Sequence, residues 1–127
     1  MFSHVTVGSN DIAKAKTFYD GVTGALGLVR HAEYPDGLGY GRPGTKPQLW
    51  IVRPLDKQAA SAGNGITIGL EADTRSAVDA AHAAALKAGG KDEGAPGIRK
   101  HYHPNYYGAY VRDLEGNKVC IVCHKPA

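Results

Sequence analysis

The chain has 127 residues, 43% hydrophobic and 21% charged, the balance of one globular domain that can bury a core without disulfide or metal staples. Fifteen Lys and Arg against twelve Asp and Glu give a net charge of +3, and no basic run exceeds two residues. The clustered basic face of a nucleic-acid binder is therefore missing, although a small anionic ligand suits the mild excess. The longest apolar runs fall far short of a membrane span, and MFSHVTVGSN has no basic region leading into an apolar signal core. The expectation is a cytoplasmic protein with no nucleic-acid or membrane partner and with both Cys reduced.

Phe2 to Val7 reads as a strand, with Val5 and Val7 alternating against His4 and Thr6. His4 thus points away from the Val5 and Val7 side. Ser9, Asn10 and Asp11 offer N-cap oxygens, and Ile12, Ala15, Phe18, Tyr19 and Val22 then recur at helical spacing as far as Gly24 to Gly27. Leu28 to Tyr34 and Leu38 to Arg42 are short strands joined by Pro35-Asp36-Gly37, and a further strand lies between Pro47 and Pro54. Within it Gln48 and Trp50 share a face opposite Leu49 and Ile51. Asp56 to Asn64 is a polar linker.

The pattern then restarts. Ile66 to Leu70 is a strand, Thr74 caps a helix with Val78, Ala81, His82, Ala85 and Leu86 on its apolar stripe, and Gly89-Gly90 ends it. A shift of 63 residues lays Thr67 on His4, Thr74 on Asp11, Val78 on Ala15, His82 on Tyr19 and Gly90 on Gly27 without a gap, which indicates an internal duplication. Lys91 to Arg99 is an irregular strand. Tyr107 to Arg112 and Lys118 to His124 form a hairpin around Asp113-Leu114-Glu115-Gly116-Asn117. His82, on the helix stripe, is expected to be a hydrogen-bonded core histidine.

The resulting fold is α+β: two tandem βαβββ modules, about residues 1–55 and 64–127 of a single domain 1–127, forming a curved eight-stranded half-barrel sheet around a cavity. Ligand chemistry then belongs to the strand positions that face away from the helices. Cys120, Cys123 and His124 spell C-x-x-C-H, the pattern of c-type haem attachment. Residues three apart on a strand face opposite sides, however, so the two thiols cannot reach one haem edge. Val119, Ile121 and Cys123 are expected on the helix side and Cys120 on the cavity side. Tyr110 joins Cys120 there if Ala109 and Val111 meet the core. His101 and His103 sit in a Pro- and Gly-punctuated loop that suits a pocket rim.

His4 in FSHVTVGSND, the helix with Phe18-Tyr19-Asp20, the repeat at Ile66 to Leu70 and YGAYVRDLEGNKVCIV together resemble the vicinal oxygen chelate superfamily, which includes glyoxalase I, bleomycin resistance proteins and extradiol dioxygenases. The resemblance spans nearly the whole chain. It implies a homodimer and a small-molecule ligand, and in catalytic members one divalent metal. The corresponding ligand positions are His4, Thr67 and Cys120, with Gln48 or Trp50 on the fourth strand; only His4 is the expected residue type. A Thr hydroxyl and a Gln amide are poor donors for such an ion, so no cofactor is expected, the alternative being one Zn, Ni, Mn or Fe ion at His4. The ligand-binding set is Gln48, Trp50, Thr67, His101, His103, Tyr110 and Cys120. Two functions compete. One is glyoxalase-like handling of a small anionic or thiol-conjugated ligand, lactoylglutathione-lyase-like if catalytic. The other is metal-free binding of a drug or metabolite, for which the charge of +3 disfavours a cation.

Overall fold

The computed structural model describes residues 1–127. Its elements are β1 (Val5–Gly8), α1 (Ile12–Ala25), β2 (Val29–Tyr34), β3 (Gly37–Gly41), β4 (Leu49–Val52), β5 (Thr67–Glu71), α2 (Arg75–Lys87), β6 (Lys91–Ile98), β7 (Tyr107–Arg112) and β8 (Lys118–Cys123). The β-α-β-β-β order occurs twice. No helix is long and apolar enough to cross a membrane.

The duplication is visible atom by atom. Asp11 caps α1 by accepting the Lys14 N–H, and Thr74, 63 residues on, caps α2 by accepting the Ala77 N–H. Each cap satisfies one of the N–H groups that a first helical turn leaves unpaired. At the other repeat-matched pair, Tyr19 and His82 are both buried and both bond to a carboxylate.

The eight strands come as two mixed sheets of four, ordered β1-β4-β3-β2 and β5-β8-β7-β6, so the half-barrel is not one continuous ladder. In each sheet the module's first strand runs parallel to its last, with Val5 opposite Leu49 in one and Thr67 opposite Lys118 in the other. Strand β6 is irregular as expected, with register shifts between Asp92 and Gly94 and between Gly94 and Gly97.

Phe2 and Leu86 depart from the sequence reading. Phe2 is 76% exposed and outside β1, because β4 begins only after Pro47 and the last link to it is Val5 N–H to the Gln48 carbonyl. Leu86 is 39% exposed, so the buried stripe of α2 stops at Ala85, two residues before the helix ends.

One core of eighteen buried residues draws on both modules, from Phe18, Leu38 and Ile51 to Val78, Val111 and Ile121. Each such side chain contributes about 1.5–3 kcal/mol relative to exposure. The modules meet through close contact at glycines. A β-carbon on Gly21 of α1 would touch the Ala84 methyl at 3.5 Å, and one on Gly90 would collide with the Phe18 ring at 2.7 Å. His82, the expected core histidine, is 7% exposed and 3.0 Å from Asp92 Oδ1.

Candidate ligand cavity

A cavity of about 440 Å³ opens between the two sheets, lined by the start of β1, by β5, and by residues of β3 and β4. Its walls are apolar, from Val5, Leu28, Tyr40 and Leu49 in the first module and Ile68 and Leu70 in the second, and its polar groups are His4, Arg42, Gln48, Thr67 and Glu71. Apolar walls with a few convergent polar groups are the general form of a small-molecule site.

Local structure fixes these groups. Gln48 is held on both sides, its carbonyl accepting from Val5 N–H at 2.9 Å and its N–H donating to Tyr40 O at 2.8 Å. His4 Nδ1 lies 2.8 Å from Ser3 Oγ, which leaves Nε2 free for a ligand. Arg42 follows β3, and its carbonyl accepts bonds from His31 Nε2 at 2.7 Å and Thr45 Oγ1 at 2.8 Å. Its guanidinium takes part in none of the chain's ion pairs, and neither does the Glu71 carboxylate. The Tyr40 phenol faces Asp20, 2.7 Å away; burial, then that bond, push its pKa well up and keep it neutral.

Of the residues singled out from the sequence, His4, Gln48 and Thr67 line this cavity together. The others do not line it. Trp50 lies flat across its cross-strand neighbour Gly39, where a β-carbon would meet the indole at 2.9 Å. Cys120, 4% exposed, sits in a separate cluster on the second sheet, with Tyr106 Oη 3.2 Å from its Sγ and 2.9 Å from Tyr110 Oη. Arg99 and Lys118 lie over the Tyr110 ring, 5.7 and 5.3 Å from its centre. Burial raises the pKa of both tyrosines, so the phenols stay protonated. His103 lies 2.8 Å from His124, and His101 packs tilted against Tyr102 with ring centres 4.2 Å apart.

The sequence reading missed Glu71 and the apolar walls Leu28, Ile68 and Leu70. Glu71 was the nearest to reach, because it shares the exposed face of β5 with the predicted Thr67, although all five residues of that strand touch the cavity. No three or more His, Cys, Asp or Glu side chains converge in a way that could hold a metal ion. Within one chain the donor set therefore does not fit the divalent ion of the catalytic relatives, which needs several strong ligands.

Two mixed sheets from tandem βαβββ modules, with a cavity between their outer strands, define a vicinal oxygen chelate fold. A family model described as Glyoxalase/Bleomycin resistance protein/Dioxygenase superfamily matches residues 1–121, and the chain belongs to that superfamily. It is similar over 99% of both chains to a glyoxalase/bleomycin resistance protein from Albidiferax ferrireducens T118, at 38% identity and a TM-score of 0.86. A family enzyme from Burkholderia phytofirmans PsJN, at 23% identity with 98% of each chain covered and a TM-score of 0.73, shares the fold. So does a glyoxalase-related enzyme from Fulvimarina pelagi, at 16% identity with 97% of this chain and 87% of that one covered and a TM-score of 0.75. No curated protein matches the chain.

Proposed function

We propose that this protein binds a small organic anion in the His4 cavity without a resident metal, as a binding member of its superfamily. The observation that carries this reading is the Arg42 guanidinium, free of any carboxylate, beside His4 and Gln48 on an apolar-walled cavity of about 440 Å³. An apolar or thioether body would lie against Leu28, Tyr40, Leu49, Ile68 and Leu70, with its anionic end toward Arg42 and His4. Glu71 would repel a second negative charge and accept a hydrogen bond from an amine or hydroxyl. A homodimer in the cytoplasm belongs to the same proposal. Strands β1 and β5 are each the outer strand of their sheet, with Phe2 and Ile66, 76% and 58% exposed, at their starts.

The test is a thermal-shift screen of aromatic and thioether carboxylates with chelator present. Carboxylates should raise Tm, and Arg42→Ala should remove the shift. No shift from any carboxylate would sink the reading.

A lactoylglutathione-lyase-like reaction is the second reading, favoured by one observation: His4 and Glu71, two groups able to move a proton, line the same cavity. Turnover of a hemithioacetal by protein supplied with Ni²⁺, Zn²⁺, Mn²⁺ or Fe²⁺, and lost in Glu71→Gln, would establish it. Absence of turnover with all four leaves the binding reading alone.

A further inference from the structure

We propose that the two-bond relay from the Asn105 N–H through His103 to His124 is an acid-sensitive latch that holds the 99–106 loop, and with it Tyr106, over the Cys120 thiol. The argument rests on where the ring hydrogens must be. The Asn105 backbone N–H donates to His103 Nδ1 at 3.1 Å, so that nitrogen carries a lone pair and the hydrogen of the neutral ring is on Nε2. His103 Nε2–H then donates to His124 Nδ1, 2.8 Å away. Both bonds exist together only while both rings are neutral. A proton added to His103 Nδ1 expels the Asn105 N–H, and one added to His124 Nδ1 sets two N–H groups against each other.

The latch bears on a specific target. Both imidazoles pack edge-on against the Tyr106 ring, with centres 5.6 and 5.4 Å away, and the Tyr106 hydroxyl covers Cys120 Sγ at 3.2 Å. On its other side the same ring presses on Gly108, where a β-carbon would lie 2.7 Å from it. Cys120 is 4% exposed with Tyr106 in place.

Neither imidazole lies within ion-pair distance of a carboxylate. Within the loop Tyr102 packs tilted against Tyr106, His101 packs against Tyr102, and the sequence adds the cations Arg99 and Lys100. On the sheet Tyr110 lies beyond Tyr106, bonded to its hydroxyl. Tyr107, opposite Cys123, is occupied by Asp79 and Arg75, and Asp73 is held by Lys125 at 3.5 Å. His82 with Asp92 is the chain's one histidine–carboxylate pair. A proton on either ring therefore removes one of the two bonds that hold the loop, with no carboxylate in place to restore it.

The test is labelling of the full chain with 4,4′-dithiodipyridine from about pH 7.5 to about pH 5, each rate divided by that of glutathione at the same pH to cancel the thiolate fraction of a free thiol. One thiol per chain should react, not at all in Cys120→Ser, and its normalised rate should rise about fivefold or more on acidification. In His124→Ala the rate should be fast and flat across the range. A flat rate in the unmodified chain overturns the latch, as does simultaneous reaction of Cys120 and Cys123. Should His124→Ala fail to fold, imidazole nitrogen NMR on the unmodified chain decides: hydrogen on Nε2 of both rings near neutral pH is required, and hydrogen on Nδ1 of either ring overturns the proposal.

Discussion

The Tyr19 hydroxyl donates a hydrogen bond of 2.6 Å to Asp113 Oδ2, joining the first helix to the turn between the last two strands. Asp113 is 7% exposed and also organises its own turn, accepting the N–H groups of Glu115 and Asn117 on Oδ1 and the Asn117 amide on Oδ2. Every acceptor site of the buried carboxylate that faces the protein is thus occupied. Tyr19→Phe removes one of these bonds and should cost about 1–2 kcal/mol in urea unfolding, whereas Tyr34→Phe, at a 61% exposed residue, should cost nothing measurable.

Stability should fall steeply in alkali. Burial, then Asp113, raises the pKa of Tyr19 well above 10.0, and burial with the Asp20 bond raises that of Tyr40. These acids are neutral in the folded state, so their contribution is complete below the unfolded value near 10.0 and is lost as pH rises past it. Each should add about 1.4 kcal/mol per pH unit to the slope of stability in that window. Urea unfolding measured across the alkaline range should show a shallower slope in Tyr19→Phe, with the phenols of Tyr40, Tyr106 and Tyr110 still contributing.

Acid behaviour should depend on Arg112. Its guanidinium lies 2.8 Å from Glu93 and holds that carboxyl below the usual 4.5. An NMR titration of Arg112→Met should find the Glu93 pKa returned toward 4.5. The sign for stability follows: the contribution is present above the unfolded value and disappears as pH falls through the folded one.

Cavity charge should act in opposite directions at its two free ions. Arg42→Ala should weaken a bound carboxylate about tenfold, and Glu71→Gln should leave it unchanged or tighten it a few-fold, both effects shrinking at high salt. Calorimetric titration at two ionic strengths measures this. Equal weakening by both substitutions would mean the ligand is not an anion.

Trp50 offers a fluorescence report on the first sheet, being the chain's single Trp. Gly39→Ala places a methyl where the indole and Pro47 already crowd, at 2.9 and 3.0 Å. The substitution should shift the emission and cost about 1–3 kcal/mol, as overpacking does.

The sequence carried most of the architecture because each element announces itself by a local rule. Asp11 and Thr74 are cap residues, Pro47 and Pro54 bracket β4, and alternation along β8 separated Cys120 from Cys123. The cavity was harder to read. Alternation gives the face of a strand but not the strand's height relative to another sheet, so His4, Gln48 and Thr67 could be grouped while Trp50 and Cys120 could not be excluded. The Trp50 position depends on the glycine opposite it, a relation set by register rather than by its own neighbours. The His103 to His124 contact spans 21 residues and joins a loop to a strand end, which no periodicity encodes.

The two carboxylate bonds at the repeat-matched positions are unequal partners. His82 reaches Asp92 inside its own module, whereas Tyr19 must cross to Asp113 in the other. Separating the two halves would therefore leave the second with its His82–Asp92 contact and take the Tyr19–Asp113 bond from the first, which keeps its own Tyr40–Asp20 bond. Although built as a repeat, the molecule has become asymmetric in its dependence: the first half borrows its deepest polar anchor from the second, and the whole should melt in a single cooperative step rather than half by half.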